Sequence, residues 1–202
     1  MQALATNLLK PDQTLTHTKY FTARVSSPAD KVKRQSTYLD ALQSLSSLSI
    51  LYGRYQLNPF TCRNCSHVHQ IPNEKMTDVN IAVELMQDAF QDRFDTAFLV
   101  SADSDLVGPV VAVQRLFPKK RIVVACPPGR FSANLCNAAG AHFQIGRAVI
   151  AKSLFPETIH NAIRICPHPA DIMAVTDLLV LEHMGPILKS LAPSAPYPLM
   201  LS

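Results

Sequence analysis

The stretch Phe94-Asp-Thr-Ala-Phe-Leu-Val-Ser-Ala-Asp-Ser-Asp-Leu-Val-Gly-Pro109 decides the fold. Within it, Thr96 to Val100 is a short and nearly continuous apolar run, which is typical of a strand buried on both faces. Two acids, Asp103 and Asp105, follow directly, and apolar residues then recur at helical spacing. The pattern predicts two carboxylates in the turn between an interior strand and a helix. In open α/β sheets, ligands bind at that edge of the sheet.

The composition of the chain limits its domain organisation, its location in the cell and its class of substrate. With 202 residues, 48% hydrophobic and 17% charged, it is expected to form one domain with a real core, plus an appendage. No apolar run approaches the roughly 18 residues of a membrane span, and residues 1–10 lack a signal-peptide pattern. We therefore expect a cytoplasmic protein that does not contact a membrane. The net charge of +4 suits a phosphate-rich substrate, and ordinary solubility explains it equally well.

Strand patterns alternate with helix patterns along the first 155 residues. Strands are predicted at 15–25, 49–57, 96–100, 121–125 and 142–145, with helices before and between them. This alternation predicts an α/β fold with a mainly parallel sheet and helices on both faces. The helix that opens at Met76-Thr77-Asp78 is expected to be capped by Thr77. Its expected buried stripe consists of Ile81, Leu85, Met86, Ala89 and Phe90.

Two parts of the chain do not follow this alternation. Residues 58–75 are predicted to be an irregular loop that contains several cysteines and histidines. From residue 156 onward, prolines accumulate and charges become sparse, so 156–202 is expected to be an atypical, poorly ordered tail. The predicted organisation is therefore a domain over 1–155, interrupted by the 58–75 loop, and a proline-rich tail.

Three acids are candidate metal ligands: Asp78 at a helix start, and Asp103 and Asp105 beyond the strand. Each alone is better explained by a helix terminus, where an acid complements the dipole or caps the first turn. Together they need a cation, because two carboxylates 4 Å apart repel by about 4 kcal/mol at an effective dielectric of 20. Mg²⁺ or Mn²⁺ binds one or two carboxylates plus waters and phosphate oxygens.

Several motifs, in order, resemble those of one family. They are Lys75-Met-Thr-Asp-Val-Asn-Ile-Ala-Val-Glu84, Phe94 to Asp105, Lys120-Arg-Ile-Val-Val-Ala125 and Pro127-Pro-Gly-Arg130. The chain resembles the bacterial branch of the NYN domains, which belong to the PIN-like superfamily of metal-dependent ribonucleases. The likeness covers roughly residues 5–155. Such a series of motifs in order is highly specific.

The resemblance implies a PIN-like three-layer α/β/α fold and a Mg²⁺- or Mn²⁺-dependent ribonuclease that acts on RNA. It implies that Asp78, Asp103 and Asp105 form the catalytic metal site and that Ser101 is the small residue beside it. Glu84 matches a further family acid but ranks lower, because six helical positions separate it from Asp78. From its position at a strand end, Arg130 is the best phosphate contact.

One family feature is missing from the start of the chain. The family begins with a short apolar strand that ends in Asp-Gly-x-Asn, runs through the middle of the sheet and supplies a metal-site aspartate. Here the chain begins at Met1-Gln-Ala-Leu4, within the helix that should follow. We therefore expect a sheet without its first central strand, two exposed strand edges and a weakened metal site. A truncated start and a loss of activity both explain this departure.

A second candidate metal site lies in the 58–75 loop. Cys62-x-x-Cys65 is followed by His67 and His69, and thiolate and imidazole at this spacing suit Zn²⁺. A structural zinc and two free thiols are equally good interpretations.

Three functions remain open from the sequence. The first is the metal-dependent ribonuclease, and the second is a catalytically inactive RNA- or protein-binding module of the same fold. The third is a phosphatase with an aspartyl nucleophile, which is disfavoured because its Asp-x-Asp should follow the first strand. RNA is the expected partner, and the sequence also admits a homodimer.

Overall fold

The computed structural model describes residues 1–155 and 177–182. The described strands form one seven-stranded sheet in the order β3-β2-β1-β7-β4-β5-β6. The strands are β1 (Leu15–Ala23), β2 (Leu48–Thr61), β3 (Val68–Lys75), β4 (Thr96–Val100), β5 (Arg121–Cys126), β6 (Ala141–Gln144) and β7 (Asp177–Glu182). The helices are α1 (Gln2–Leu8), α2 (Ala29–Gln43), α3 (Thr77–Phe90), α4 (Val107–Leu116), α5 (Ala133–Ala138) and α6 (Arg147–Lys152), with a 3₁₀ turn at Ser104–Leu106.

Each face of the sheet carries its own hydrophobic core. In β4, Ala97 and Leu99 belong to one cluster, whereas Phe98 and Val100 belong to the other. This division follows from the pleat, because successive side chains of a strand point to opposite faces. The first cluster includes residues of α3, α4 and α5, and the second includes residues of α1, α2 and α6. The predicted three-layer α/β/α architecture is therefore confirmed.

The predicted gap in the middle of the sheet is filled by the tail. Strand β7 lies between β1 and β4 and is parallel to both, with Leu181 opposite Tyr20 on one side and Val100 on the other. The prediction of a sheet without a central strand is therefore wrong, and so is the interpretation of this part of the tail as an appendage. Residues 156–176 and 183–202, which make up the rest of the predicted tail, lie outside the described residues.

The predicted irregular loop over 58–75 is mostly strand. Residues 54–61 of β2 pair with 68–75 of β3 as an antiparallel hairpin. The last residue of β2 that pairs with β1 is Gly53, so the hairpin extends past the end of β1. We call residues 62–67, between the two strands, the hairpin tip. The local sequence was a poor guide because β3 contains Pro72, Asn73 and Glu74, which are uncommon in strands.

The helix before the acidic motif is found where it was predicted, with two differences. Ile81, Leu85 and Ala89 of α3 are buried, but Phe90 at the end of the helix is 79% exposed. Thr77 is the first helical residue rather than the cap, and its hydroxyl donates a hydrogen bond to Glu74 Oε1 at 2.5 Å. Within the described residues, no helix is both long and apolar enough to cross a membrane.

Candidate functional site

A cleft of about 510 Å³ opens at the carboxyl ends of β4 and β5 and at the start of α3. We call it the acidic cleft. Four of the residues predicted from the sequence line it, namely Asp78, Ser101, Asp103 and Arg130. Asp78 and Asp103 belong to different elements, so the fold brings together two carboxylates that are 25 positions apart in the chain. This is the edge of a parallel sheet at which ligands bind.

Asp78 is positioned by a tight junction between β3 and α3. Met76 adopts a left-handed backbone conformation, with φ of 77°, and the helix begins directly after it. The junction packs closely on β2 at Gly53, where a Cβ atom would lie 2.7 Å from both the carbonyl oxygen of Lys75 and the hydroxyl of Thr77. Only glycine permits this approach. As a result Asp78, in the first turn of α3, is half-buried at the cleft wall.

Asp103 lies in a hydrogen-bonded turn at the end of β4. Its backbone N–H donates to the hydroxyl of buried Ser101 at 3.0 Å, and its Oδ1 accepts from the N–H of Asp105 at 2.9 Å. Asp103 thus caps the 3₁₀ turn, as the alternative interpretation expected, and also lines the cleft. Asp105 is exposed on that turn and is not among the residues that line the cleft.

The lining of the cleft also includes a basic and an aromatic side chain, Arg130 and Phe131. Arg130 is exposed after Gly129, whose φ of +74° makes the turn that follows β5. Phe131 next to it is 62% exposed. Its ring packs edge to face against the ring of His142, with centroids 6.2 Å apart. An exposed aromatic ring beside a guanidinium group is a suitable surface for an unstacked base and its phosphate.

Among the residues that line the cleft, sequence reasoning did not single out Glu74, Lys75 and Phe131. Glu74 is a third carboxylate at the cleft, at the end of β3, where it accepts the bond from Thr77. Its signal was present in the sequence, four positions before Asp78, but it fell inside the predicted loop. The signal of Phe131 was weaker, because an apolar residue after Gly129-Arg130 is more simply assigned to a core.

Glu84, which ranked lower as a ligand, belongs to a different cluster. Its Oε2 lies 2.7 Å from Nζ of the buried Lys19, which also pairs with the fully buried Asp88. Arg93 pairs with Asp88 from the other side at 3.2 Å. These residues line a cavity of about 340 Å³ together with His17. Glu84 is not among the residues that line the acidic cleft.

Cys62 and Cys65 lie at the hairpin tip and are not among the residues that line the acidic cleft. Backbone N–H groups of Cys65 and Asn64 donate to Cys62 and lower the pKa of its thiol. The rings of His67 and His69 contact each other, with centroids 4.7 Å apart. Cys126 and Cys136 are buried in the core.

The residues at the acidic cleft fit an open metal site rather than a closed cage. Asp78, Asp103 and Glu74 supply oxygen atoms, which are the ligands of Mg²⁺ and Mn²⁺. Among residues 1–155 and 177–182, no three His, Cys, Asp or Glu side chains are arranged to hold one ion. An ion there would therefore keep water or substrate oxygens as most of its ligands, as Mg²⁺ commonly does.

Comparison with known proteins identifies one family. The model of the NYN domain matches residues 3–146 of this chain. Over 128 residues, the chain is 28% identical to 6-hydroxy-3-succinoylpyridine 3-monooxygenase HspA of Pseudomonas putida. That alignment covers 54% of this chain and 41% of the Pseudomonas protein, so the chain spans less than half of the relative's length.

Among solved structures, a protein of unknown function from Vibrio parahaemolyticus aligns with this chain at 19% identity and a TM-score of 0.45. The alignment covers 65% of this chain and 69% of the Vibrio protein. At that level, the likeness supports no inference about function.

Proposed function

Because this chain belongs to the NYN domain family, within the PIN-like nuclease superfamily, we propose that it is a metal-dependent ribonuclease that hydrolyses phosphodiester bonds of RNA. The observation that carries the proposal is the convergence of Asp78 and Asp103 in one cleft. Two carboxylates that share a cleft repel each other, and a divalent cation bound between them would offset that repulsion. A cation at this point favours an anionic substrate such as a phosphodiester.

Mg²⁺ or Mn²⁺ is the ion that the oxygen donors of the cleft favour. Asp78 and Asp103 are its proposed ligands, and Asp105 remains a predicted third. When bound, such an ion polarises a phosphoryl group and lowers the pKa of water. The backbone N–H of Asp103 donates to the Ser101 hydroxyl, and Oδ1 of Asp103 accepts from the N–H of Asp105. The two bonds fix the turn and one carboxylate oxygen, which supports a preorganised site.

RNA is the proposed substrate because the cleft combines phosphate-binding and base-binding groups. Arg130 presents a guanidinium group that suits the phosphate backbone, and Lys75 adds a second positive charge at the cleft. Phe131 presents an exposed ring on which an unpaired base can stack. Side chains of this kind recognise single-stranded RNA better than a rigid duplex.

The test is cleavage of a labelled single-stranded RNA by the purified full chain. We expect cleavage with Mg²⁺ or Mn²⁺, its loss with EDTA and its return when the metal is restored. Asp78→Asn and Asp103→Asn should each abolish cleavage while the chain stays folded. Asp40→Asn is the matched control, because it removes an exposed carboxylate of α2 that lies away from the cleft. Cleavage that persists in EDTA or in Asp103→Asn would overturn the proposal.

The second candidate is an RNA-binding module of the same fold that does not cleave. It is favoured by the capping bond of Asp103, which occupies one carboxylate oxygen, and by the lack of three clustered ligands among the described residues. This candidate predicts salt-sensitive RNA binding that EDTA does not change and no cleavage under any metal. The monooxygenase activity named for the Pseudomonas relative is not proposed for this chain, because the alignment covers only 41% of that protein.

A further inference from the structure

The hairpin tip presents two cysteine sulfur atoms as a pair. Cys62 and Cys65 are three positions apart in the tight turn that joins β2 to β3. The tip is held closed by two backbone bonds, from Cys62 N to His67 O and from Ser66 N to Cys62 O, both 2.9 Å. A closed turn with Cys-x-x-Cys spacing is an arrangement from which structural zinc sites take two of their ligands.

Within residues 1–155 and 177–182, one copy of the chain supplies only two zinc ligands at the hairpin tip. A structural zinc takes four ligands in a tetrahedron, most often cysteine sulfur and histidine nitrogen. Among the described residues, however, no third His, Cys, Asp or Glu completes the pair at the tip. Cys126 and Cys136 cannot help, because they lie together in the core with their sulfur atoms 3.4 Å apart.

The hairpin around the tip also has the character of a contact surface. It extends past β1, and a two-stranded hairpin alone is only marginally stable in water. Four of its large apolar side chains are nevertheless exposed, Leu57, Phe60, Val68 and Ile71. Phe60 and Ile71 share one face of the hairpin, and Leu57 and Val68 share the other. An exposed apolar pair on a small projecting element suits an interaction site.

We propose that two copies of this chain bind one Zn²⁺ between their hairpin tips, with Cys62 and Cys65 of each copy as the four ligands. A two-fold axis through the ion makes the two contributions equivalent, as in most homodimers. Four thiolates form the closed tetrahedral set that zinc prefers, and the four thiol protons pass to solvent on binding. The same contact covers one of the two apolar faces of each hairpin.

The experiment measures zinc content and molecular mass on the full chain, purified without a polyhistidine tag. We expect one zinc per two chains and the mass of a dimer. Chelation should give zinc-free monomer, and added Zn²⁺ should restore the dimer. Cys62→Ser and Cys65→Ser should each lose zinc and remain monomeric, whereas Ser66→Ala in the same turn and His67→Ala should behave as wild type. With Co²⁺ in place of zinc, the absorption spectrum should be that of a tetrahedral four-sulfur site.

Three results would overturn the proposal. They are one zinc per chain in a monomer, wild-type chain that binds no zinc, and a dimer that survives both chelation and the cysteine substitutions. The proposal is also independent of the ribonuclease activity. Asp103→Asn should keep zinc and the dimer, so failure of one proposal is separable from failure of the other.

Discussion

Nζ of Lys19 lies 2.7 Å from Oε2 of Glu84, and both side chains face the interior between β1 and α3. The lysine is only 6% exposed and also pairs with the fully buried Asp88. A buried charge is tolerated only when it is paired. Glu84, which matches a family acid, therefore belongs to this ion-pair cluster in the structure. Glu84 affects the acidic cleft only through the packing of α3.

Removing the lysine should destabilise the whole domain. Lys19→Met leaves Asp88 fully buried and, among the described residues, paired with Arg93 alone. Removing one partner of a buried pair costs about 3–5 kcal/mol of unfolding free energy when no partner remains, so we expect a loss near the lower end of that range. Lys33→Met on the exposed side of α2 is the control and should change stability by less than about 0.5 kcal/mol. Urea unfolding followed by circular dichroism measures both. Equal stability of the two variants would contradict a structural role for the cluster.

The same cluster should give stability a dependence on pH. Burial, and then the nearby positive charge of Lys19, lower the pKa of His17 below its ordinary value of 6.5, although the carboxylate of Asp88 opposes the shift. Between the lowered pKa and 6.5, the unfolded chain binds more protons than the folded one. Unfolding free energy should therefore rise with pH across that window and level off above it.

His17→Gln tests this, because it keeps a polar group near Ser49, whose hydroxyl lies 2.8 Å from the His17 ring nitrogen. Thermal unfolding is measured at several pH values for His17→Gln and wild type. Between pH 5 and 7, around the ordinary pKa of histidine, stability should rise less steeply with pH in His17→Gln than in wild type. His142→Gln, at an exposed position, should keep the wild-type slope. A slope unchanged in His17→Gln would assign the pH dependence to other groups.

Gly53 controls how closely the junction before α3 approaches β2. Gly53→Ala adds a Cβ atom that would lie 2.7 Å from Lys75 O and from Thr77 Oγ1, so the junction must shift. We expect a loss of roughly 1–3 kcal/mol of stability and weaker activity, because Asp78 moves with the junction. Gly108→Ala is the matched control. Its Cβ meets nothing within 4 Å, so in α4 it should stabilise by about 0.5–1 kcal/mol.

Phe131 should contribute to RNA binding rather than to folding. Phe131→Ala removes an exposed ring from the cleft rim, and loss of one base stack weakens binding by about 1–3 kcal/mol. Binding is measured by fluorescence anisotropy in the Asp103→Asn background, so that no RNA is cleaved. Phe90→Ala, at another exposed phenylalanine that does not line the cleft, should bind as wild type. Equal affinity of both variants would exclude stacking on Phe131.

The sequence predicted the parts of this fold that local patterns determine. The strand Thr96–Val100, the helix from Thr77 and the cleft residues Asp78 and Asp103 were all found by periodicity, position and resemblance. The errors have physical causes. Phe90 matches the helical stripe, but it lies at the helix end, beyond the reach of the core. Strand β3 contains few residues that favour strands, and its pairing with β2 stabilises it. The local sequence propensity does not include such pairing.

The position of β7 was the largest error, for a related reason. Leu178 to Leu181 is a four-residue apolar run, which is too short for its pattern to specify a strand or a neighbour. Its partner residues on β4 lie about 80 positions earlier in the chain, and those on β1 lie still further away. Pairing between residues so far apart in the chain depends on the strand edges of β1 and β4 that β7 covers. These edges become apparent only when the whole sheet is assembled.

The tail strand should therefore be essential to the domain. Because β7 has a neighbour on both sides, the N–H of Val180 faces a paired strand, next to Lys19 on β1 and Leu99 on β4. Proline lacks that N–H and is tolerated only on edge strands, so Val180→Pro should lower unfolding free energy by about 3 kcal/mol or more. A chain ended after residue 155 lacks β7 and should therefore lose cooperative unfolding. Near-ultraviolet circular dichroism and urea titration measure these effects, and a Val180→Pro variant as stable as wild type would show that β1 and β4 do not need β7 between them.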